Sequence, residues 1–310
     1  MATPSKISIY SALAGNVGVG AVKLLAFAMS GSSSMLVEAI HSAIDTLNQG
    51  LLLFGIWRGA RPPDARHPFG YGLEAYFWTF VVALLIFAAG GVAAIHEGIE
   101  RIRHPAPVSH VGLTLAVLGV CMIFEIASLV VSLRAAEQGR TPLARKRFPR
   151  PSLVQRIHFS PDPGVFEVLA EDAASILGLI LAFLGVIGSA WFGWHQADGV
   201  AAVAIGLMLV ALAGVVVAET HSLLTGEAAL PSTIEAACKI LTDDPRVDVV
   251  CEVLSMQLGP QEILMAATLD FRDDLTGPEL EEATDELTAK LQSADPAITR
   301  LFLRPGRAKT

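Results

Sequence analysis

The chain has 310 residues, 53% of them hydrophobic and 17% charged, with a mean hydropathy of +0.54. That is too apolar for an ordinary soluble protein and asks for several membrane spans beside a smaller soluble part. The net charge of −8 falls in the segment from Glu227 onward, with 16 acidic and 8 basic residues, and such an acidic tail excludes a nucleic-acid-binding face.

Six apolar runs are each near the roughly 20 residues that cross a bilayer core. They lie at about 7–29, 34–57, 73–99, 111–134, 165–189 and 197–219. The N-terminal Met-Ala-Thr-Pro-Ser-Lys has no signal-peptide cleavage pattern, so the first run is expected to be a retained helix. Connections divide by charge. Arg58, Arg61 and Arg66 follow the second run, and the connection after the fourth carries Arg134, Arg140, Arg145, Lys146, Arg147, Arg150 and Arg156. The other connections are nearly bare, so the positive-inside rule puts the basic ones and both termini in the cytoplasm. The membrane is taken to be a bacterial cytoplasmic membrane. The proline-rich segment 137–164 reads as an irregular tether against anionic lipid, and its one histidine, His158, makes no metal-collecting loop.

From about 223 the pattern becomes that of a small soluble domain, giving the division 1–222 and 223–310. Thr233 to Leu241 has helical spacing and ends at Asp243-Asp244-Pro245. Val247 to Leu258, a Gly259-Pro260 turn and Ile263 to Phe271 read as a hairpin. Pro278 opens a helix with Leu280, Ala283, Leu287 and Leu291 on one face, and Ile298 to Leu303 is a last strand. The order α-β-β-α-β implies a compact two-layer α+β domain. Cys121, Cys238 and Cys251 form no CxxC pair, and the soluble domain shows no close metal-ligand spacing.

Charged and metal-binding side chains inside apolar runs are costly and mark function. His41 and Asp45 in the second run are four apart and share one helix face, with Glu38 and Asn48 extending the stripe. An imidazole and a carboxylate so placed form half of a first-row divalent metal site. The fifth run opens with Glu167, Glu171 and Asp172; Glu171 and Asp172 can supply further carboxylates, but adjacent residues point about 100° apart, so one of them faces His41. Glu167 reads as an acid at the start of a helix, where the dipole favours it. Asn16 and Lys23 share a face of the first run, and Lys23 can neutralise Glu38 or snorkel. Glu125, midway along the fourth run, suits either a packing hydrogen bond or a gate. Asp198 suits an N-terminal cap of the sixth run. His96, Glu97 and Glu100 read as interfacial, near an exit. His67-Pro-Phe-Gly-Tyr-Gly72 is a tight turn, and Tyr71, Tyr76, Phe77 and Trp78 suit an interface belt.

Four stretches together resemble the cation diffusion facilitators, a family of metal-cation/proton exchangers. They are Ser33 to Gln49 with its Glu38-Ala-Ile-His41-Ser-Ala-Ile-Asp45 core, His67 to Gly72, Glu171-Asp172-Ala-Ala, and His221-Ser-Leu-Leu-Thr-Gly-Glu227. The Glu-Asp form resembles the branch with the mitochondrial zinc transporter-like members. The resemblance implies six transmembrane helices, a C-terminal cytoplasmic domain of ferredoxin-like α+β fold, and a homodimer through that domain. It also implies a transport site of two His/Asp-x-x-x-Asp pairs. His41 and Asp45 match the first pair and Asp172 the end of the second. Val168 stands where the second pair begins and cannot ligate; Glu171, water or a residue from another span can take its place.

The function expected is efflux of a divalent cation, Zn²⁺ first and Fe²⁺ or Co²⁺ as alternatives, exchanged for protons. His41, Asp45, Asp172 and Glu171 are the metal residues, the metal is cargo, and no cofactor is expected. A non-transporting metal-binding or scaffold membrane protein is the alternative. With no HExxH or GxSxG, a membrane enzyme is not expected. Beyond lipid, cation, protons and a second copy, no partner is implied, and no nucleic acid.

Overall fold

The computed structural model describes residues 4–30, 33–105, 111–138 and 163–307, with side chains except at 4–8, 23, 26, 27, 29, 30, 33–41, 138, 163 and 164. The segment read above as a lipid-touching tether therefore lies largely outside the described residues, as do the side chains of Lys23 and Glu38. The chain divides into two compact units. Of the described residues, those at 4–57, 77–138 and 163–221 belong to one, and those at 58–76 and 222–307 to the other.

The first unit is all helix. In chain order it contains α1 (Pro4–Ser30), α2 (Ser33–Gly59), α3 (Leu73–Leu85), α4 (Ala93–Arg103), α5 (Val111–Gln138), α6 (Pro163–Trp191) and α7 (Ala197–Thr225). A π-helical turn, Ile86–Val92, joins α3 to α4 into one continuous stretch. Among the described residues, Leu73–Arg103, Val111–Glu137, Val165–Trp191 and Ala197–Thr225 are long and apolar enough to cross a membrane. Between 17% and 33% of each such stretch is buried within the protein, so most of its apolar surface needs lipid to cover it. Ile123, Leu184 and Leu207 are among the large side chains left on that surface. The chain is thus a helical membrane protein.

Two features hold the bundle together. Ile9 and Ala12 of α1, Leu52 of α2, Val82, Ile86, Val168 of α6 and Ala213 of α7 meet in one buried cluster. The second feature is a glycine seam. An added Cβ at Gly98 would lie 2.7 Å from the Gly199 carbonyl oxygen, and one at Gly206 would lie 2.6 Å from Ile95 Cγ1. A Cβ at Gly91 would meet Val210 Cγ2 at 2.7 Å. Glycines seven apart on each helix therefore bring α7 against the α3–α4 stretch at backbone contact, a close approach that packing in lipid rewards. The interface belt read from the sequence is only half present. Tyr76 is fully buried, whereas Phe77 is exposed and Trp78 meets Phe54 edge-on at 4.9 Å.

The second unit contains α8 (Pro231–Thr242), β1 (Val247–Gly259), β2 (Glu262–Phe271), α9 (Gly277–Ala294) and β3 (Ile298–Pro305). The α-β-β-α-β order is the one the sequence pattern predicts. β1 and β2 form an antiparallel hairpin with Leu254 opposite Ala266, and β3 lies parallel on the other side of β2. Alternation places Met265, Ala267, Leu269 and Phe271 on one face of β2. They pack with Leu241, Ala283, Leu287 and Leu291, each buried Leu, Met or Phe among them contributing roughly 1.5–3 kcal/mol. Thr276 caps α9 in a reciprocal box with Glu279, with Pro278 in the first turn. The same unit includes the turn between α2 and α3. There Asp64 accepts hydrogen bonds from the Arg66 and His67 amides, both at 2.8 Å, and from the Tyr71 hydroxyl at 2.7 Å. These donors, Tyr71 foremost, hold its carboxyl below the usual range. Gly70 takes φ 94°, and a Cβ at Gly72 would lie 2.3 Å from the Leu258 carbonyl oxygen, so the turn needs glycine at both places.

A charge network closes the α8–β1 corner. The Asp244 side chain is 1% exposed and accepts two bonds of 2.9 Å from Arg246 and one of 3.0 Å from Lys290. Arg246 also pairs with Glu286 at 2.7 Å. The Arg246 guanidinium, followed by Lys290, holds the Asp244 carboxyl well below the usual range. A depressed folded-state pKa gives stability that is present above the ordinary carboxylate range and lost as pH falls through and below it. Asp244→Asn is expected to cost about 2 kcal/mol at neutral pH. Hydrogen exchange on the full chain reads this as faster exchange of β2 amides, and the difference from the unsubstituted chain should vanish in acid.

Candidate metal site

α2 carries the His41–Asp45 motif. The backbone places His41 one turn before Asp45 on this helix, while the His41 side chain lies outside the described residues. Asn48 and Gln49 follow on the next turn and are buried, at 1% and 0% exposure. Gln49 points to α6 and donates from Nε2 to Glu171 Oε2 at 2.6 Å.

α6 supplies three acids, and helix rotation separates their roles. Asp172, four per cent exposed, accepts from Ser128 Oγ of α5 at 3.0 Å through Oδ1, with Ser132 alongside. Its Oδ2 is buried without a hydrogen-bond partner. Glu171 looks the other way, to Gln49 of α2. The adjacent pair thus grips two different helices, as a 100° offset requires. Val168 is fully buried in the apolar cluster with Leu52 and Val82, and its side chain offers no ligand.

The reading of Glu167 as a helix-starting acid is overturned. α6 begins at Pro163, a full turn earlier, and Glu167 is 1% exposed, with both carboxylate oxygens buried and without a donor. Its polar neighbour is the Glu171 carboxylate, one turn on, which can serve it only by sharing a proton. Glu171 in turn feels the carboxylates of Glu167, Asp45, Asp172 and Glu125. Two unit charges even 8 Å apart repel by roughly 2 kcal/mol at an effective dielectric of 20. Five carboxylates gathered in a membrane bundle therefore call for protons or a cation. Among the described residues no group of three or more His, Cys, Asp or Glu is close enough to hold an ion at once. Asp45, Glu171 and Asp172 are neighbours here, not a closed coordination shell.

Beside this cluster lies a cavity of about 760 Å³ within the helical unit. Ser42, Asp45, His96, Arg101, Glu125 and Ser175 are among the residues that line it. The π-helical turn contributes wall residues Ala88, Ala89, Gly90 and Val92, a placement in keeping with the tendency of such turns to mark functional places. Asp198 does not act as a cap. It lies in the first turn of α7 and pairs with Arg101, which also donates to Glu97 at 2.9 Å. Gln49, Ser128 and Ser132 are the polar partners that single-residue reading misses. The signal on α5 is the spacing Cys121, Glu125, Ser128, Ser132, which lays one polar stripe along a helix.

Residues 9–225 match the model of the cation efflux transmembrane domain. The chain is 30% identical over 249 residues to the mitochondrial proton-coupled zinc antiporter SLC30A9 of Xenopus laevis, covering 80% of this chain and 44% of that protein. It is 28% identical over 271 residues to metal tolerance protein C4 of Arabidopsis thaliana, covering 87% and 58%. The cation-efflux pump FieF of Shewanella oneidensis is 24% identical over 273 residues, covering 88% and 84%. The chain spans about half the length of the first two relatives. All three are named as transport or tolerance proteins and none as an enzyme. With the family model matching more than half of the chain, across the helices that bring Asp45, Glu171 and Asp172 together, this protein belongs to the cation efflux family.

Proposed function

We propose that the chain is a six-span secondary transporter that exports a divalent first-row cation from the cytosol in exchange for protons, with Zn²⁺ as the first candidate and Fe²⁺ or Co²⁺ next. One observation carries the reading: buried Asp172 and half-buried Asp45 and Glu171 act on one another beside a cavity in a lipid-facing helix bundle. The relatives named as a zinc antiporter and as cation-efflux pumps support the same chemistry. His41, Asp45, Glu171 and Asp172 bind the cargo. A neutral imidazole with carboxylates suits Zn²⁺, Co²⁺ or Fe²⁺ over Mg²⁺ and Mn²⁺, which favour all-oxygen sites. Metal binding requires deprotonated ligands, so protons compete with the cation and affinity falls as pH falls. That competition makes exchange across a membrane possible. The basic connections after α2 and α5 put both termini on the cytoplasmic side, so the cation is bound from within and released outside.

The test is uptake of Zn²⁺ into everted membrane vesicles under an imposed pH gradient. His41→Ala with Asp45→Ala is expected to reduce uptake to the background of empty vesicles. Uptake equal to that of the unsubstituted chain would overturn the site. Calorimetric binding without flux in proteoliposomes would favour a scaffold over a transporter.

The transporter works as a homodimer through the C-terminal unit. The sheet face turned away from α8 and α9 carries Leu254, Ala266 and Phe302 side by side across its three strands. Leu254 and Phe302 are 57% and 56% exposed, an apolar row that a second copy would cover. Glu252 and Arg304 flank Thr268 in the next row, so the border carries both signs. Phe302→Glu is expected to shift the detergent-solubilised protein from twice the chain mass to one in mass photometry; an unchanged dimer would show that the contact lies elsewhere.

A further inference from the structure

The end of the bundle where α6 turns into α7 carries an aromatic group that the described residues leave uncovered. Trp191 closes α6, and Phe192 and Trp194 follow in the connection; they are 69%, 81% and 54% exposed. The connection from Phe192 to Gln196 contains no lysine, arginine or carboxylate. It is a built turn. Gly193 takes φ 67°, a conformation that favours glycine, and the Trp194 amide then donates back to the Gly188 carbonyl at 3.1 Å. The Trp194 ring comes within 3.8 Å of the place a Cβ on Gly188 would take, so the indole folds over the end of α6.

Three observations indicate what lies against these rings. Leu177, Ile180, Leu184 and Trp191 share one face of α6 and are all exposed, so Trp191 ends a stripe that lipid covers. The level is that of an interface. The apolar stretch Val165–Trp191 has 27 residues, about 40 Å of helix, which outreaches the roughly 30 Å hydrocarbon core and ends in the headgroup layer. Gly98 of α4 meets Gly199 of α7, so the Arg101–Asp198 pair and the exposed Arg103 and His104 stand at this same end. Hydrocarbon excludes those charges and bulk water excludes the rings, so a level that holds both is neither. Trp191 and Trp194 also carry indole N–H groups that bond to no acceptor among the described residues. Lipid ester carbonyls and phosphates can accept them.

We propose that Trp191, Phe192 and Trp194 form a hook that seats in the glycerol and headgroup layer of one bilayer leaflet and anchors the α6–α7 end there. Its partner is phospholipid, because the stripe that leads to the hook is itself part of the lipid-facing side of α6. Interfacial aromatics of this kind fix the depth and tilt of a span. α6 is the helix of Glu171 and Asp172, so the hook holds their helix against sliding along the membrane normal. The contact is with lipid and stands whether or not those acids carry a cation.

Depth-dependent fluorescence quenching of the full chain in phosphatidylcholine vesicles tests the seat. Trp57→Phe with Trp78→Phe leaves Trp191 and Trp194 as the indoles of the chain. Lipid brominated on the acyl chains next to the glycerol is expected to quench their emission about twofold or more over lipid brominated near the chain ends. Iodide in the water should quench weakly. Where this variant does not fold, the emission lost on Trp191→Phe with Trp194→Phe in the otherwise unsubstituted chain carries the same signal. Stronger quenching by iodide than by either lipid would place the rings in water. Protection from all three would place them under protein, as a second copy would do, and stronger quenching from the chain ends would place them in the core. Each of these overturns the proposal. Anchoring has its own readout. Trp191→Ser with Phe192→Ser and Trp194→Ser is expected to lower the thermal midpoint in lipid nanodiscs and leave it unchanged in detergent, which offers no leaflet. An equal loss in both, or none in either, shows that the hook does not anchor.

Discussion

The structure depends on keeping several carboxylates inside a membrane-spanning bundle. Water would solvate them at little cost, but apolar surroundings penalise each charge unless it is paired, protonated or bonded. Two of them meet neutral donors: Gln49 serves Glu171, and Ser128 serves Asp172. Neutral donors steady an acid without cancelling its charge, so the group keeps its pull on a cation. An arginine in the place of Gln49 would bond the same oxygen and remove the reason for a cation to come. The contrast with the Arg101–Glu97–Asp198 network is instructive, because there the acids are already paired and attract nothing further.

Much of this arrangement is legible in the sequence, for identifiable reasons. Membrane-spanning helices announce themselves as apolar runs, and the described helices run over the expected stretches. The α-β-β-α-β unit follows from period-two alternation around Gly259-Pro260 and from the Pro278 helix start, both of which are local patterns. His41 and Asp45 stand out because their four-residue spacing is a property of one helix. What depends on two helices is hidden. Whether Glu171 or Asp172 faces α2 turns on the rotation of α6 about its own axis, which no local pattern records. Glu167 looks like a helix-start acid only if the helix begins beside it; Pro163 moves the start back by a turn and buries it. Tyr76 and Asp198 depart from their local pattern for a related reason, since an aromatic near a span end and an acid in a first turn each have a cheap local explanation that tertiary packing displaces.

Glycine accounts for the other part of the site that composition conceals. A cavity inside a thin bundle needs at least one wall that does not yield. Between the α3–α4 stretch and α7 that wall is backbone against backbone, at Gly98 with Gly199 and Gly91 with Gly206. Contacts of this kind have no rotamers to rearrange, so the two helices are constrained to move together or not at all. The π-helical turn lies in this same wall and adds a residue to the local repeat, which shifts the phase of every side chain beyond it. The faces of α3 and α4 are thus set separately, one into the apolar cluster through Val82 and the other toward the cavity through His96.

The neighbouring acids of α6 carry a last consequence. An oxygen that accepts a 2.6 Å bond from Gln49 has one of its lone pairs committed. A cation ligated through that oxygen must use the other lone pair or displace Gln49, and either choice alters how α2 is tied to α6. Asp172 is tied to α5 through its other neighbour, Ser128, and its free oxygen is the one that lacks a donor. Loading the site therefore bears unequally on the two contacts. The α2 contact competes with the ion, whereas the α5 contact leaves an oxygen available to it. A single acid could not divide the work in this way; two adjacent acids, pointing about 100° apart on one helix, can. The Glu-Asp pair with valine one turn earlier is for this reason not simply a damaged form of a spaced pair. It joins three helices where a spaced pair on one face would join two.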